Sequence, residues 1–209
     1  CTKYIKQNSY RLLRLVNNLI DITKMDIGLY ELRCSNQNII SIIEDITLSV
    51  VDYTKSNKIN LIFDTNEEEV ITYCDADKIE RIMLNLLSNA IKYTPENEII
   101  RVTVNAKEDE IIVFVKDSGM GIPDDRINTI FDRFKQVDDL ITRSCQGSGI
   151  GLSLVKNLVE MHGGRINVNS VVNEGSEFIF SIPIILNEES NEYDIDRKNK
   201  HVERCNIEF

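Results

Sequence analysis

Between Asp77 and Tyr93 the apolar residues Ile79, Ile82, Met83, Leu86, Leu87, Ala90 and Ile91 fall three and four positions apart. That is the period of a helix with one face on a core. A second stripe, Ile39, Ile42, Ile43, Ile46, Val50 and Tyr53, predicts a helix from about Asn38 to Lys55, and Ile150 to Met161 reads as a third. From Thr2 to about Lys24, Ile5, Leu12, Leu15, Val16, Leu19 and Ile22 come close to a seven-residue repeat, with Arg11, Arg14 and Asn17 between them. One helix of that length cannot bury its own seam, so it needs a partner helix or its own domain to pack on. Strands are predicted at Tyr30 to Ser35, at Ile59 to Asp64 and Val70 to Cys74 around the acidic turn Glu67 to Glu69, and at Ile99 to Ala106 and Glu110 to Lys116 as a hairpin. Arg165 to Val171 and Ser176 to Ile182 make a second hairpin. Alternating polarity and turn residues carry these strand assignments. The order βαββαββααββ after the leading helix argues an α+β fold, a two-layer sandwich preceded by a long coiled-coil-like helix.

The polar face of the helix at Asp77 to Tyr93 is less ordinary than its apolar one. Asn85, Asn89 and Lys92 stand at i, i+4 and i+7 and line up along one side. Asparagine is a poor helix former, and two of them mid-helix cost roughly half a kcal/mol each. A solvated polar face would accommodate them. So would a magnesium phosphate site, in which a carboxamide oxygen meets a hard cation and an ammonium meets phosphate charge.

Downstream, Asp117-Ser-Gly-Met-Gly-Ile-Pro123 puts a carboxylate at a strand end before two glycines, Gly119 and Gly121. A buried carboxylate only accepts hydrogen bonds, so it can read an exocyclic amine and would tolerate a keto oxygen badly. Alone, such a sequence is as readily a plain turn. Asp124 to Lys135 reads as a short helix with Ile127, Ile130, Phe131 and Phe134 as packing residues, and Arg133 offers a fork for phosphate oxygens. The polar stretch Gln136 to Gly147 reads as a lid. Gly147-Ser-Gly-Ile-Gly151 then opens a helix where backbone N–H groups could approach phosphate.

Composition narrows the partners. The 209 residues hold 42% hydrophobic side chains, enough for a sizeable core, and a net charge of -10 that repels nucleic acid. DNA and RNA are therefore not expected as partners. Five cysteines, Cys1, Cys34, Cys74, Cys145 and Cys205, are odd in number and show no C-x-x-C pair, which fits reduced thiols in a cytoplasm. No apolar run is long enough to span a bilayer, and the chain opens at Cys1 in mid-pattern. The expectation is a piece of a longer protein that meets a membrane only through segments upstream. Of two histidines, His162 ends an apolar helix, where a cation would suit the helix C-terminus, and reads as structural, while His201 lies in a polar stretch and reads as solvated. Residues 187–209 read as a charged tail, although Cys205, Ile207 and Phe209 alternate as a docked edge strand would.

Four ordered stretches, DKIERIMLNLLSNAIKY, DSGMGIP, IFDRFKQVD and GSGIGLSLVKNLVEMHGG, together resemble the ATP-binding domain of sensor histidine kinases, within the wider gyrase, MutL and heat-shock chaperone ATPases. The likeness covers about residues 1 to 186. It implies a Bergerat-type fold over 27–186, ATP and Mg2+ as cofactors, and the second helix of a dimerisation and phosphotransfer hairpin over 1–26. On that resemblance Asn89 holds the metal, Lys92, Tyr93 and Arg133 approach phosphates, and Asp117 reads adenine with Gly119, Gly121 and Ile122. Phe134, Gly147, Ser148, Gly149, Ile150, Gly151 and Leu152 surround the nucleotide, and Ser176 stands where the family often places a threonine. Asn85, Lys92 and Arg133 are the expected catalytic group.

The reaction so implied is transfer of the ATP γ-phosphoryl to a histidine on a hairpin helix of the same or the partner protomer, in a homodimer, and onward to a response regulator. The family's acceptor motif, histidine then Glu or Asp then Leu-Arg-x-Pro, is not in this sequence. Two other readings stay open: an ATP-hydrolysing switch of the same superfamily, which by resemblance carries a glutamate where Asn85 stands, and a nucleotide-free interaction module.

Overall fold

The computed structural model describes residue 13 and residues 16–133 and 149–187. Residues 16–26 form helix α1. There follow β1 (Ser35–Asn38), α2 (Ile39–Ser49), α3 (Val51–Ser56), β2 (Asn60–Thr65), β3 (Ile71–Cys74), α4 (Ala76–Tyr93), β4 (Ile99–Ala106), β5 (Glu110–Asp117), α5 (Asp124–Ile127), α6 (Gly151–Met161), β6 (Arg165–Val171) and β7 (Gly175–Pro183). A five-stranded sheet of order β2-β4-β5-β7-β6 forms one layer, with only β2 and β4 parallel. Helix α4 packs between α2 and α6 in the other layer. The two-layer α+β sandwich is as expected.

Alternation along each strand sends one set of side chains to the helices. Across the register, Val104, Val113, Phe180 and Ile166 make one core-facing row, and Val102, Val115, Phe178 and Val168 make the next. Ile79, Ile82, Met83, Leu86 and Leu87 of α4 are fully buried beneath them. At about 0.8 kcal/mol per buried methylene, this helix face is a leading source of stability. The Asp75 side chain caps α4 by accepting from Lys78 N, and Thr94 closes it by donating its hydroxyl to Ala90 O.

Three expected elements differ. The first strand is Ser35–Asn38, not Tyr30 to Ser35, because it is defined by pairing with β3 and ends where the Asn38 side chain caps α2. The helix from Asn38 to Lys55 breaks at Val50, after Thr47 and Ser49 turn their hydroxyls back onto carbonyls of the preceding turn. The short helix at Asp124 stops at Ile127 instead of continuing to Lys135, giving way to turns.

The strands flanking the acidic turn find different partners. Asn66 exchanges two side-chain hydrogen bonds with Ala106 and so extends the β2–β4 ladder, while Val70 bonds Asn38 and Ile39 and directs β3 to β1. Beyond β7, Asn187 and Asn36 exchange hydrogen bonds of 2.8 and 3.1 Å. The expected tail and its edge strand otherwise lie in 188–209, outside the described residues, as do Cys1, Cys145, Cys205 and His201.

Candidate functional site

The core-facing rows change character at the end of the sheet. After the Val115 row comes Asp117 on β5, Ser176 opposite it on β7, and Ser170 opposite that on β6. Directly opposed residues of an antiparallel pair share a face, so these three polar side chains continue the apolar rows toward the helices. Asp117 is only 5% exposed. Burial pushes its carboxyl above the ordinary value of 3.8, and the backbone N–H groups of Gly119 and Ser176 partly oppose that rise. Gly119 N donates to Asp117 Oδ1 at 2.9 Å, which aims the carboxylate. Its second oxygen has acceptor capacity to spare for a ligand.

Two glycines bring this turn and α6 against α4. A Cβ on Gly119 would lie 2.5 Å from Tyr93 O, so only glycine lets the Asp117 turn touch the C-terminal end of α4. A Cβ on Gly151 would lie 2.8 Å from Asn85 Oδ1, so the first residue of α6 presses on the middle of the same helix. The polar face of α4 thus forms a floor with the Asp117 turn at one end and the start of α6 beside it. Gly121 and Ile122 complete the turn, and Ile122 N donates to Ser170 Oγ at 2.8 Å. Gly149 and Ile150 precede α6, and Leu152 packs on the core.

The four polar side chains expected to serve the metal and the phosphates are not equivalent. Asn85 is 6% exposed, not solvated, and its Nδ2 donates to Arg81 O at 2.8 Å. Asn89 is half-buried, with no hydrogen-bond partner for its carboxamide among the described residues. Lys92 Nζ donates to Tyr93 OH at 2.9 Å and sits 4.6 Å from the centre of that ring, so the two side chains are held as one unit. Arg133 is directed elsewhere. Both arms of its guanidinium pair with Asp26 at the end of α1, and that hydrogen bond holds the Asp26 carboxyl below its ordinary range. Phe134, Gly147, Ser148 and the expected lid lie outside the described residues.

Helix α1 reaches the domain on the same side. Ile22 enters the core, and Arg81, one turn before Asn85, pairs with Asp21 and Asn18. Val16 and Leu19 of the expected seam stay exposed. His162 has the expected structural role, through contacts that its sequence position does not give. Its Nε2 accepts from Asp75 N at 3.2 Å while Nδ1 faces Leu158 O at 2.7 Å, so the proton is on Nδ1 and the ring is neutral. Burial lowers its pKa accordingly. It is structural, a strut between α6 and the start of α4, and not a cation at a helix end. Sequence reasoning passed over Ser170 and Asp26, because neither lies in a motif and each acquires its place only through the fold.

This arrangement is an α+β sandwich in which a buried carboxylate and two serine hydroxyls stand beside a helix face bearing carboxamides and an ammonium. The family described as histidine kinase-, DNA gyrase B- and HSP90-like ATPases matches residues 74–185, and the chain belongs to it. Sensor protein SrrB of Staphylococcus aureus strain MRSA252 is 34% identical over 179 residues, 86% of this chain and 30% of that protein. Hybrid signal transduction histidine kinase D of Dictyostelium discoideum is 31% identical over 194 residues, 90% of this chain and 12% of its own. The chain thus spans less than a third of the length of either relative.

Among solved structures, the catalytic domain of histidine kinase ThkA superposes with a TM-score of 0.64 at 29% identity, covering 73% of this chain and 97% of that one. Full-length ShkA in complex with AMPPNP shares the fold, with a TM-score of 0.77 at 24% identity over 88% of this chain and 38% of its own. Among the described residues no helix is long and apolar enough to cross a membrane.

Proposed function

We propose that this chain binds ATP with Mg2+ and is the catalytic part of a sensor histidine kinase, transferring the γ-phosphoryl to a histidine on a separate hairpin helix. The observation that carries the reading is the convergence of the Asp117 turn and the Gly151 helix start on the one face of α4 that bears Asn85, Asn89 and Lys92. The solved structure of ThkA with its response regulator TrrA, at 26% identity and a TM-score of 0.69 over 88% of this chain and 51% of that one, supports onward transfer to a response-regulator aspartate. ShkA holds an ATP analogue on the same fold. The acceptor helix belongs to the same or the partner protomer of a homodimer, and a membrane is met only through other segments of the intact protein.

Asp117 accepts the exocyclic amine of adenine, with Ser176 beside it. Asn89 offers its carboxamide oxygen to the metal, which neutralises charge on the phosphates when bound. Lys92 and Tyr93 meet phosphate oxygens as a pair, joined by backbone N–H groups from Gly149 to Leu152. Arg133 joins them once released from Asp26. Asn85 separates transfer from hydrolysis. A neutral amide takes no proton at pH 7, and general-base help to water is worth about 10²- to 10⁴-fold. An imidazole acceptor needs less help, since its neutral nitrogen is already a nucleophile.

The test supplies a separate acceptor hairpin carrying its histidine and follows acid-labile phosphate on it, together with phosphate release. Transfer without brisk hydrolysis is expected, with Asn89→Ala abolishing metal-dependent binding. Rapid Asn89-dependent phosphate release by the chain alone would place it on the hydrolytic branch. Failure to bind Mg-ATP at all would leave only a fold-retaining interaction module.

A further inference from the structure

The chemistry of the base pocket depends on where one proton sits. Ser170 Oγ lies at the centre of three contacts: Ile122 N at 2.8 Å, Gly175 O at 2.8 Å and Ser176 Oγ at 3.0 Å. Ile122 N can only donate, and Gly175 O can only accept. A hydroxyl has one proton and two lone pairs. All three contacts are hydrogen bonds at once in a single arrangement, with Ser170 donating to Gly175 O and accepting from both Ile122 N and the Ser176 hydroxyl. The proton of Ser176 is then committed to Ser170, and only its lone pairs remain for the pocket. Ser176 itself is 7% exposed, so water does little to scramble that orientation.

We propose that Ser170, a β6 residue outside every nucleotide motif, is a positioning residue that fixes the Ser176 hydroxyl as an acceptor and so makes the pocket floor select a base that donates. Asp117 and Ser176 then present acceptors side by side. A base bringing an amine satisfies both, directly or through a water that donates to Ser176, whereas one bringing a keto oxygen meets lone pairs on each. The same Ser170 oxygen holds Ile122, so the adenine-reading turn and the serine are set by one atom. This inference rests on the ATP reading above and adds a determinant of base choice to it.

Calorimetry with Mg-ATP and Mg-GTP on wild type, Ser170→Ala, Ser176→Ala, the double variant and Ser170→Thr tests it. Ser170→Ala loses ATP affinity by about threefold to tenfold, the worth of one neutral hydrogen bond, and loses less for GTP, so that the preference narrows. Ser170→Thr, which keeps the hydroxyl, retains both the affinity and the preference. In the Ser176→Ala background the base preference no longer responds to residue 170, because the relay has already lost its end. An unchanged ATP-to-GTP ratio in Ser170→Ala overturns the proposal, as does an effect of equal size with and without Ser176, which would mark Ser170 as a structural prop for Ile122. Equal weakening in the Ala and Thr variants overturns it too. A wild-type chain that binds neither nucleotide refutes the ATP reading itself, a result distinct from any of these.

Discussion

Replacing Asp117 with asparagine separates the cost of a binding residue from its use. The carboxylate is 5% exposed and holds Gly119 N at 2.9 Å. Alanine at this site would leave buried N–H groups unpaired at about 1–3 kcal/mol each, which confuses folding with binding. Asparagine keeps one oxygen for Gly119 and turns an NH2 toward the ligand, where a donor now meets the amine of adenine. A hydrogen bond to a charged group is worth about 1.5–3 kcal/mol, so ATP affinity should fall roughly tenfold to 150-fold, and GTP affinity should fall less because its keto oxygen gains a donor.

Stability should move the other way. A carboxyl whose folded pKa is raised above 3.8 takes up protons on folding. Its contribution is fully present below the unfolded value and is lost as pH rises through the folded one, so at pH 7 the ionised group opposes folding. Asp117→Asn removes that opposition, and its melting temperature at pH 7 should equal or exceed wild type while ATP binding collapses. Titration calorimetry and thermal melts read both quantities. Undiminished ATP affinity in a folded Asp117→Asn protein would refute the adenine-reading role, and equal losses for the two nucleotides would refute its selectivity.

His162 has a folded pKa lowered by burial, so its stabilising effect is complete above the unfolded value of about 6.5 and falls away as pH drops below it. Denaturant midpoints between pH 5 and 7 should therefore vary less in His162→Gln than in wild type. Gly119→Ala places a Cβ 2.5 Å from Tyr93 O and should cost about 1–3 kcal/mol in urea unfolding, with ATP affinity falling as the turn shifts; an unshifted midpoint would contradict the close approach. Asp26→Ala frees Arg133 at an exposed pair, so stability should hold and Mg-ATP affinity should rise, most clearly at low salt; unchanged affinity would show that Arg133 does not serve the phosphates.

Helix α4 was legible because seven apolar positions kept one period, while its cap at Asp75 shows only in the fold. The core strands were legible for a similar reason, since Ile111, Val113 and Val115 alternate with partly exposed residues. Ser35–Asn38 was not. Its sequence, Ser-Asn-Gln-Asn, has no apolar alternation, and only pairing with Ile71–Cys74 makes it a strand. The partners of β2 and β3 were not legible either, because the acidic turn between them does not say which neighbour each strand finds. In the site, residue types announced Asp117, Asn89 and the glycines. The neutral ring of His162 and the proton of Ser170 depend on backbone groups far away in sequence, at Asp75 and Ile122, and no local pattern carries that.

The placement of polar residues also explains how one helix serves both stability and chemistry. Helix α4 gives its fully buried apolar face to the sheet rows led by Val113 and Val115, and the next row is Asp117, Ser176 and Ser170, so on the proposed reading binding chemistry begins where the apolar rows end. Asn85 sits at that boundary. One of its amide hydrogens is donated to Arg81 O and its oxygen faces Gly151, so it links α4 and α6, the helices that flank the nucleotide on the proposed reading. A glutamate there would bring a charge into the contact with Gly151 and supply a base for water. The amide keeps the helices together without charge and withholds the base. On the proposed reading, that leaves ATP bound and intact until an acceptor with its own nucleophile arrives, which is what a phosphotransfer protein needs and a hydrolytic switch does not.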